Sequence, residues 1–106
     1  MKQPLTEDEK ALSELCRLVK TLTRKGHYAE CEKLVADAMG KYPHAPQPHN
    51  LMGVLFEMQQ NHMAAMKHFR AAWALDPTYI PARHNLDAFA SFYSSDKHAF
   101  DESDLL

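Results

Sequence analysis

Apolar residues recur three or four positions apart through most of the chain, which is the spacing of one face of a helix. The first such run is Leu12, Leu15, Leu18, Val19 and Leu22. Thr6 and Glu9 precede it with the spacing of a capping box, in which each side chain accepts a hydrogen bond from the other residue's amide. We therefore predict a first helix that runs to about Lys25 and stops at Gly26.

Four more helices follow from the same spacing and from the residues that interrupt it. Three prolines between positions 43 and 48 make that stretch a connector, because proline has no amide to donate. Asp76-Pro77 is expected to end the fourth helix. We expect the four helices to begin near Tyr28, near Gln47, after Asn61 and near Pro81. The predicted fold is all-α.

The helical pattern repeats along the chain. Residues of the same type or size class lie 34 positions apart in five pairs. The pairs are Leu18 and Met52, Cys31 and Ala65, Val35 and Phe69, Ala38 and Ala72, and Pro43 and Pro77. Two helices per unit with this period indicate a repeat architecture.

The second unit carries a recognisable signature. It reads His49-x2-Met52-Gly53-x2-Phe56, then Ala65-x3-Phe69, Ala72 and Asp76-Pro77, and it resembles the tetratricopeptide repeat (TPR) family pattern W-x2-L-G-x2-Y, A-x3-F and P. The first unit is more divergent, with Val19 in the place of the small glycine. His49 also departs from the pattern, since it stands where the family has an aromatic residue.

The resemblance implies two helix-turn-helix repeats, about 12–45 and 46–79, and a C-terminal capping helix of about 80–95. Together they would form one domain over 1–95, a fragment of a right-handed α-solenoid. Small residues such as Gly53 would let two helices approach closely, and Phe56 and Phe69 would fill the space between units. Residues 96–106 are acidic, and we expect them to be a flexible tail.

Composition excludes several classes of function. The chain has 106 residues and a formal net charge of −2, without the basic stripe of a nucleic-acid-binding protein. It shows no apolar run of about 20 residues and no secretory signal, so we expect a cytoplasmic protein that does not bind membranes. Cys16 and Cys31 fall inside helical patterns and are expected to be reduced and buried.

No catalytic or metal site is predicted. The seven histidines do not combine with cysteine or carboxylate at a zinc-ligand spacing. Cys16 and His84 could face each other as nucleophile and base, but nothing in the sequence orients them with a third group. We therefore expect neither an enzyme nor a cofactor.

The TPR resemblance implies binding of another protein or peptide on the concave surface, which the first helix of each unit lines. An apolar strip beside a basic end suits an extended or helical peptide. The predicted lining residues are Lys20, Thr23, Arg24, Asn50, Val54, Glu57, Met58, His84 and Phe92. The function expected is that of an adaptor, scaffold or co-chaperone-like subunit.

Three alternatives remain open from the sequence. Homodimer formation through the terminal helices would use an aromatic cluster of Phe89, Phe92, Tyr93 and Phe100. Lys20 and Asn50 match part of a carboxylate clamp known in the family, without its full pattern. The acids of the tail could instead fold back onto Lys20 and Arg24, or form an acidic dileucine signal with Leu105 and Leu106.

Overall fold

The computed structural model describes residues 5–89 and 98–105. These residues form five α-helices and a short 3₁₀ helix, with no β-strand in either range. The α-helices are α1 (Glu7–Arg24), α2 (Tyr28–Lys41), α3 (Pro46–Met58), α4 (His62–Leu75) and α5 (Ile80–Phe89), and the 3₁₀ helix is Glu102–Leu105. The all-α prediction is confirmed.

The capping and turn residues predicted from the sequence are found at the helix ends. Thr6 accepts a hydrogen bond from the Glu9 amide at 3.1 Å, and Glu9 accepts one from the Thr6 amide at 3.4 Å, so the capping box is formed. Gly26 follows α1 with φ of +79°, a left-handed conformation that glycine adopts without a steric penalty. Asn61 caps α4 by accepting from the Ala64 amide at 3.3 Å. α2 continues through Gly40 and ends at Lys41, shortly before Pro43.

The helices are arranged in two layers. Each helix packs on the next along the chain, and in addition α1 contacts α3 and α3 contacts α5. No such contact joins α2 to α4. The helices α1, α3 and α5 therefore lie side by side, and this layer presents the face on which the site is built.

The tightest contact in the core lies between α3 and α4. A Cβ atom on Gly53 would stand 2.4 Å from Cε1 of Phe69, whose side chain is fully buried. Glycine is needed here because the aromatic ring occupies the volume that any side chain would fill. The prediction that Gly53 permits close approach of two helices is confirmed.

Leu18 differs from its expected role. It was placed on the apolar stripe of α1, but it is 45% exposed. Among the other α-helices, α1 packs against α2 and α3, and Val19 supplies the buried position beside Leu18. The core stripe of α1 is therefore narrower than the run of leucines predicts.

Candidate functional site

The groove formed by α1, α3 and α5 is filled by residues 98–105 of the same chain, which we call the docked segment. Ala99 is 1% exposed and Phe100 is 7% exposed. Phe100 belongs to the same cluster of buried apolar side chains as Leu51 and Phe89. The expectation of a flexible tail therefore does not describe residues 98–105, while residues 96, 97 and 106 lie outside the described ranges.

Two buried asparagines hold the main chain of the docked segment. Asn85 on α5 accepts from the Ala99 amide at 2.7 Å and donates to the Ala99 carbonyl at 2.8 Å. Asn50 on α3 donates to the same carbonyl at 3.0 Å and to the Phe100 carbonyl at 3.4 Å. Both asparagines are fully buried, so the docked segment satisfies polar groups that would otherwise need water.

The two asparagines also contact each other. The side-chain amide of Asn85 donates to the side-chain oxygen Oδ1 of Asn50 at 2.9 Å. This bond fixes the orientation of both amides, so their remaining donors and acceptor point at the segment in the groove. The arrangement binds peptide groups rather than particular side chains, as the edge of a sheet does when it adds a strand.

Aromatic contacts hold the side chains at the start of the docked segment. The ring of His98 stacks on Phe89 of α5 with centroids 6.3 Å apart and a 27° interplanar angle. It also meets Phe100 edge to face at 5.3 Å. Phe89 is itself stacked on Phe69 at 6.0 Å, so these contacts connect the segment to the core.

Asp104 fixes the other end of the docked segment. Its carboxylate pairs with the ammonium group of Lys20 on α1, and both side chains are 19% exposed. The same carboxylate accepts from the Phe100 amide at 2.9 Å and from the Asp101 amide at 3.4 Å. Burial alone would raise the pKa of Asp104, but the hydrogen bonds from Lys20 and the two amides lower it below its ordinary value.

A basic recess adjoins this ion pair. Arg17, Lys20 and Arg24 on α1 line a cavity of about 390 Å³ together with Asp101 and Ser103 of the docked segment. Arg17 and Arg24 are exposed. The predicted basic end of the site is therefore present, and it faces acidic residues of the docked segment.

Two predicted lining residues, Lys20 and Asn50, contact the docked segment directly. Val54, in contrast, is fully buried in the core cluster instead of lining an open strip. It lies on α3, which is covered by α2 and α4 on one side and flanked by α1 and α5. Thr23 is also buried, and its hydroxyl lies 3.5 Å from the Cys31 thiol on α2, inside the helix pair.

The remaining predicted lining residues have other surroundings. Glu57 is engaged by His62 across the turn between α3 and α4, with an Oε2 to Nδ1 distance of 3.0 Å. Met58 is half-buried and packs against the core cluster. His84 is half-buried on α5. Phe92 lies outside the described residues.

Asn85 is the functional residue that sequence reasoning missed. The sequence does contain a signal for it: Asn85 lies 35 residues after Asn50, one more than the predicted 34-residue period, and it lies on α5. Asparagine is unfavourable inside a helix. A buried asparagine on each of two helices therefore indicates that a polar partner lies between or beside them.

The remaining candidates for chemistry in the described residues are cysteine and histidine side chains. No group of three or more potential metal ligands occurs among residues 5–89 and 98–105. Cys16 lies beneath the docked segment, where burial and the neighbouring Asp101 carboxylate raise its pKa to about 12, so it stays an unreactive thiol at neutral pH. His49 and His68 stack with Nδ1 atoms 3.2 Å apart, and burial lowers the pKa of both.

Comparison with protein-family models, with curated proteins and with solved structures found no match for this chain. Within the described ranges, every helix is too short or too polar to cross a membrane. The groove of α1, α3 and α5 and the segment docked in it are therefore the features of this chain that bear on its function.

Proposed function

We propose that this chain is a protein-interaction module, a TPR-like array of two helix pairs and a capping helix that binds an extended protein segment. The binding site is the groove of α1, α3 and α5. The observation that carries the proposal is the pair of asparagines, Asn50 and Asn85, which bind the peptide groups of Ala99 from both sides.

The burial pattern supports the repeat architecture. Three of the pairs that lie 34 residues apart are buried at both positions: Cys31 with Ala65, Val35 with Phe69, and Ala38 with Ala72. The layer of α1, α3 and α5 also corresponds to the first helices of successive units, which line the concave side of such arrays.

Main-chain recognition supports a peptide ligand. Asn50 and Asn85 direct donors and an acceptor at a peptide unit, and every residue except proline offers the same carbonyl and amide. A groove of this kind accepts an extended chain whose side chains then determine specificity. The partner proposed is therefore another protein, bound through such a segment.

The alternative of self-association through aromatic residues has less support. Phe89 and Phe100, two members of the predicted cluster, are buried within the chain. Phe92 and Tyr93 lie outside the described residues. The two described members of this cluster therefore pack inside the chain instead of forming an aromatic surface.

The test is selection from a phage-displayed library of random peptides, with the wild-type chain and the Asp104→Lys variant as separate baits. The proposal predicts enriched peptides whose binding is lost in Asn85→Ala and retained in Asp87→Ala, an exposed control on the same helix. Melting curves establish that both variants are folded. If neither bait enriches peptides, or if the peptides bind Asn85→Ala unchanged, the groove is not the binding site.

A further inference from the structure

The docked segment meets the groove at three places with different chemistry. Ala99, which has a small buried side chain, is bound through its main chain by the two asparagine amides, and the aromatic side chain of Phe100 is also buried. A carboxylate, Asp104, reaches Lys20 on α1. The other side chains of the segment from 101 to 103 are more exposed than Ala99 and Phe100.

The spacing of these features is fixed by the segment itself. The Asp104 carboxylate accepts from the amide of Phe100, four positions earlier, at 2.9 Å. Asp101 accepts from the Ser103 amide at 3.0 Å, which supports the same turn. The turn therefore places the acid where Lys20 can pair with it whenever the aromatic residue is seated.

The small residue is required for a steric reason. Ala99 is 1% exposed, with Asn50 and Asn85 both bonded to its carbonyl. A larger side chain at this buried position would have to displace packed neighbours. The groove thus selects at three positions and accepts any residue at the exposed ones.

We propose that the docked segment is a built-in competitor, and that the partner that replaces it carries the same pattern. The pattern is a small residue followed by an aromatic residue, with a carboxylate four positions beyond the aromatic one. This inference rests on the proposed function, because it names the ligand class of the same groove.

Competition follows from the tether. The docked segment belongs to the same chain as the groove, so it competes with a free ligand as an intramolecular group, at an effective concentration on the order of 1 mM. A partner segment of equal intrinsic affinity therefore binds the wild-type chain weakly unless its own concentration is comparable. Lys20 would pair with the carboxylate of either the docked segment or the partner segment. Substitution of Asp104 therefore weakens the docked segment while every residue of the groove stays the same.

The experiment measures fluorescence anisotropy of a labelled peptide with the sequence of residues 98–106 against four full-length chains. These are the wild type, Asp104→Lys, Lys20→Asp and the double variant Lys20→Asp/Asp104→Lys. Glu102→Lys is the matched control, since it makes the same charge reversal at an exposed residue of the docked segment. Circular dichroism melts show whether each chain is folded.

The peptide is expected to bind Asp104→Lys at least about tenfold tighter than the wild type, because loss of a charge-assisted hydrogen bond weakens the competitor by this factor or more. Lys20→Asp should bind it at least about tenfold more weakly than Asp104→Lys does, because the groove then repels the peptide carboxylate. The double variant restores the ion pair in reverse and should again bind weakly. Glu102→Lys should behave as the wild type.

Equal affinity for the wild type and Asp104→Lys would show that the docked segment does not compete. Equal affinity for Asp104→Lys and Lys20→Asp would show that the groove does not read the carboxylate. If no chain binds this peptide while library peptides bind in an Asn85-dependent way, the ligand pattern is wrong and the proposed function stands. If neither kind of peptide binds, both proposals fall.

Discussion

Gly53→Ala tests the packing that places α3, and with it Asn50, in the groove. The added Cβ would lie 2.4 Å from Cε1 and 2.6 Å from Cδ1 of Phe69. Carbon atoms in contact are about 3.5–4.0 Å apart, so the ring would have to move by more than about 1 Å. Phe69 is fully buried and has no adjacent space to enter without displacing its neighbours.

The expected magnitude has two parts. Overpacking of a core lowers the free energy of unfolding by about 1–3 kcal/mol. The better helix propensity of alanine raises it by up to about 1 kcal/mol. With the overpacking cost at the middle of its range, about 2 kcal/mol, the free energy of unfolding should therefore fall by about 1–2 kcal/mol. For a domain of this size the melting temperature should fall by roughly 4–16 °C.

Gly40→Ala is the matched control for this prediction. Gly40 is also helical, in α2, and a Cβ there would meet nothing within 4 Å. This variant should leave stability unchanged or raise it by up to about 1 kcal/mol. Urea unfolding of both variants measures the difference. If Gly53→Ala were as stable as Gly40→Ala, the close contact with Phe69 and the helix arrangement built on it would be refuted.

Three further predictions concern the groove and the histidine pair. Asn85→Ala should lower the free energy of unfolding by about 1–3 kcal/mol, because the Ala99 amide loses its hydrogen-bond partner. The control Asp87→Ala, at an exposed position, should change that free energy by less than about 0.5 kcal/mol, and urea titrations measure both. Cys16 should react with iodoacetamide faster in Asp104→Lys than in the wild type, because the docked segment covers it. The rates are measured in a Cys31→Ser background, which leaves Cys16 as the one cysteine, and equal rates would contradict this prediction. His49 and His68 have lowered pKa values in the folded chain, so the unfolded chain binds more protons below pH 6.5 and stability should fall as the pH drops from 6.5 towards those lowered values. A His49→Gln/His68→Gln variant that keeps the full pH dependence of the unfolding free energy would show that other groups cause it.

The helices could be predicted because their signals are local. The capping box at Thr6 and the left-handed turn at Gly26 each depend on a few neighbouring residues, and both occur as the sequence indicates. The close approach of two helices at Gly53 could be predicted from the resemblance to the repeat signature, which has a small residue at that position.

The site was harder to predict because it depends on contacts between distant parts of the chain. Lys20 and Asn50 were identified as lining residues, and the sequence left open that acids of the tail fold back onto Lys20, as Asp104 does. A polar, acidic stretch nevertheless gives no local signal of where its main chain will dock. The ordering of residues 98–105 comes from two asparagines 35 residues apart and a lysine 84 residues before Asp104. Val54 was misplaced because the helical period alone does not show that α3 is covered on several sides.

Hydrogen exchange at the Ala99 amide tests the central claim most directly. That amide donates to Asn85 at 2.7 Å in a buried site, so it should exchange far more slowly than an unstructured amide. Adding an excess of the peptide of residues 98–106 should speed its exchange, because the peptide displaces the docked segment. An Ala99 amide that exchanges at the unstructured rate, or whose protection does not change in saturating peptide, would contradict a groove that binds exchangeable protein segments.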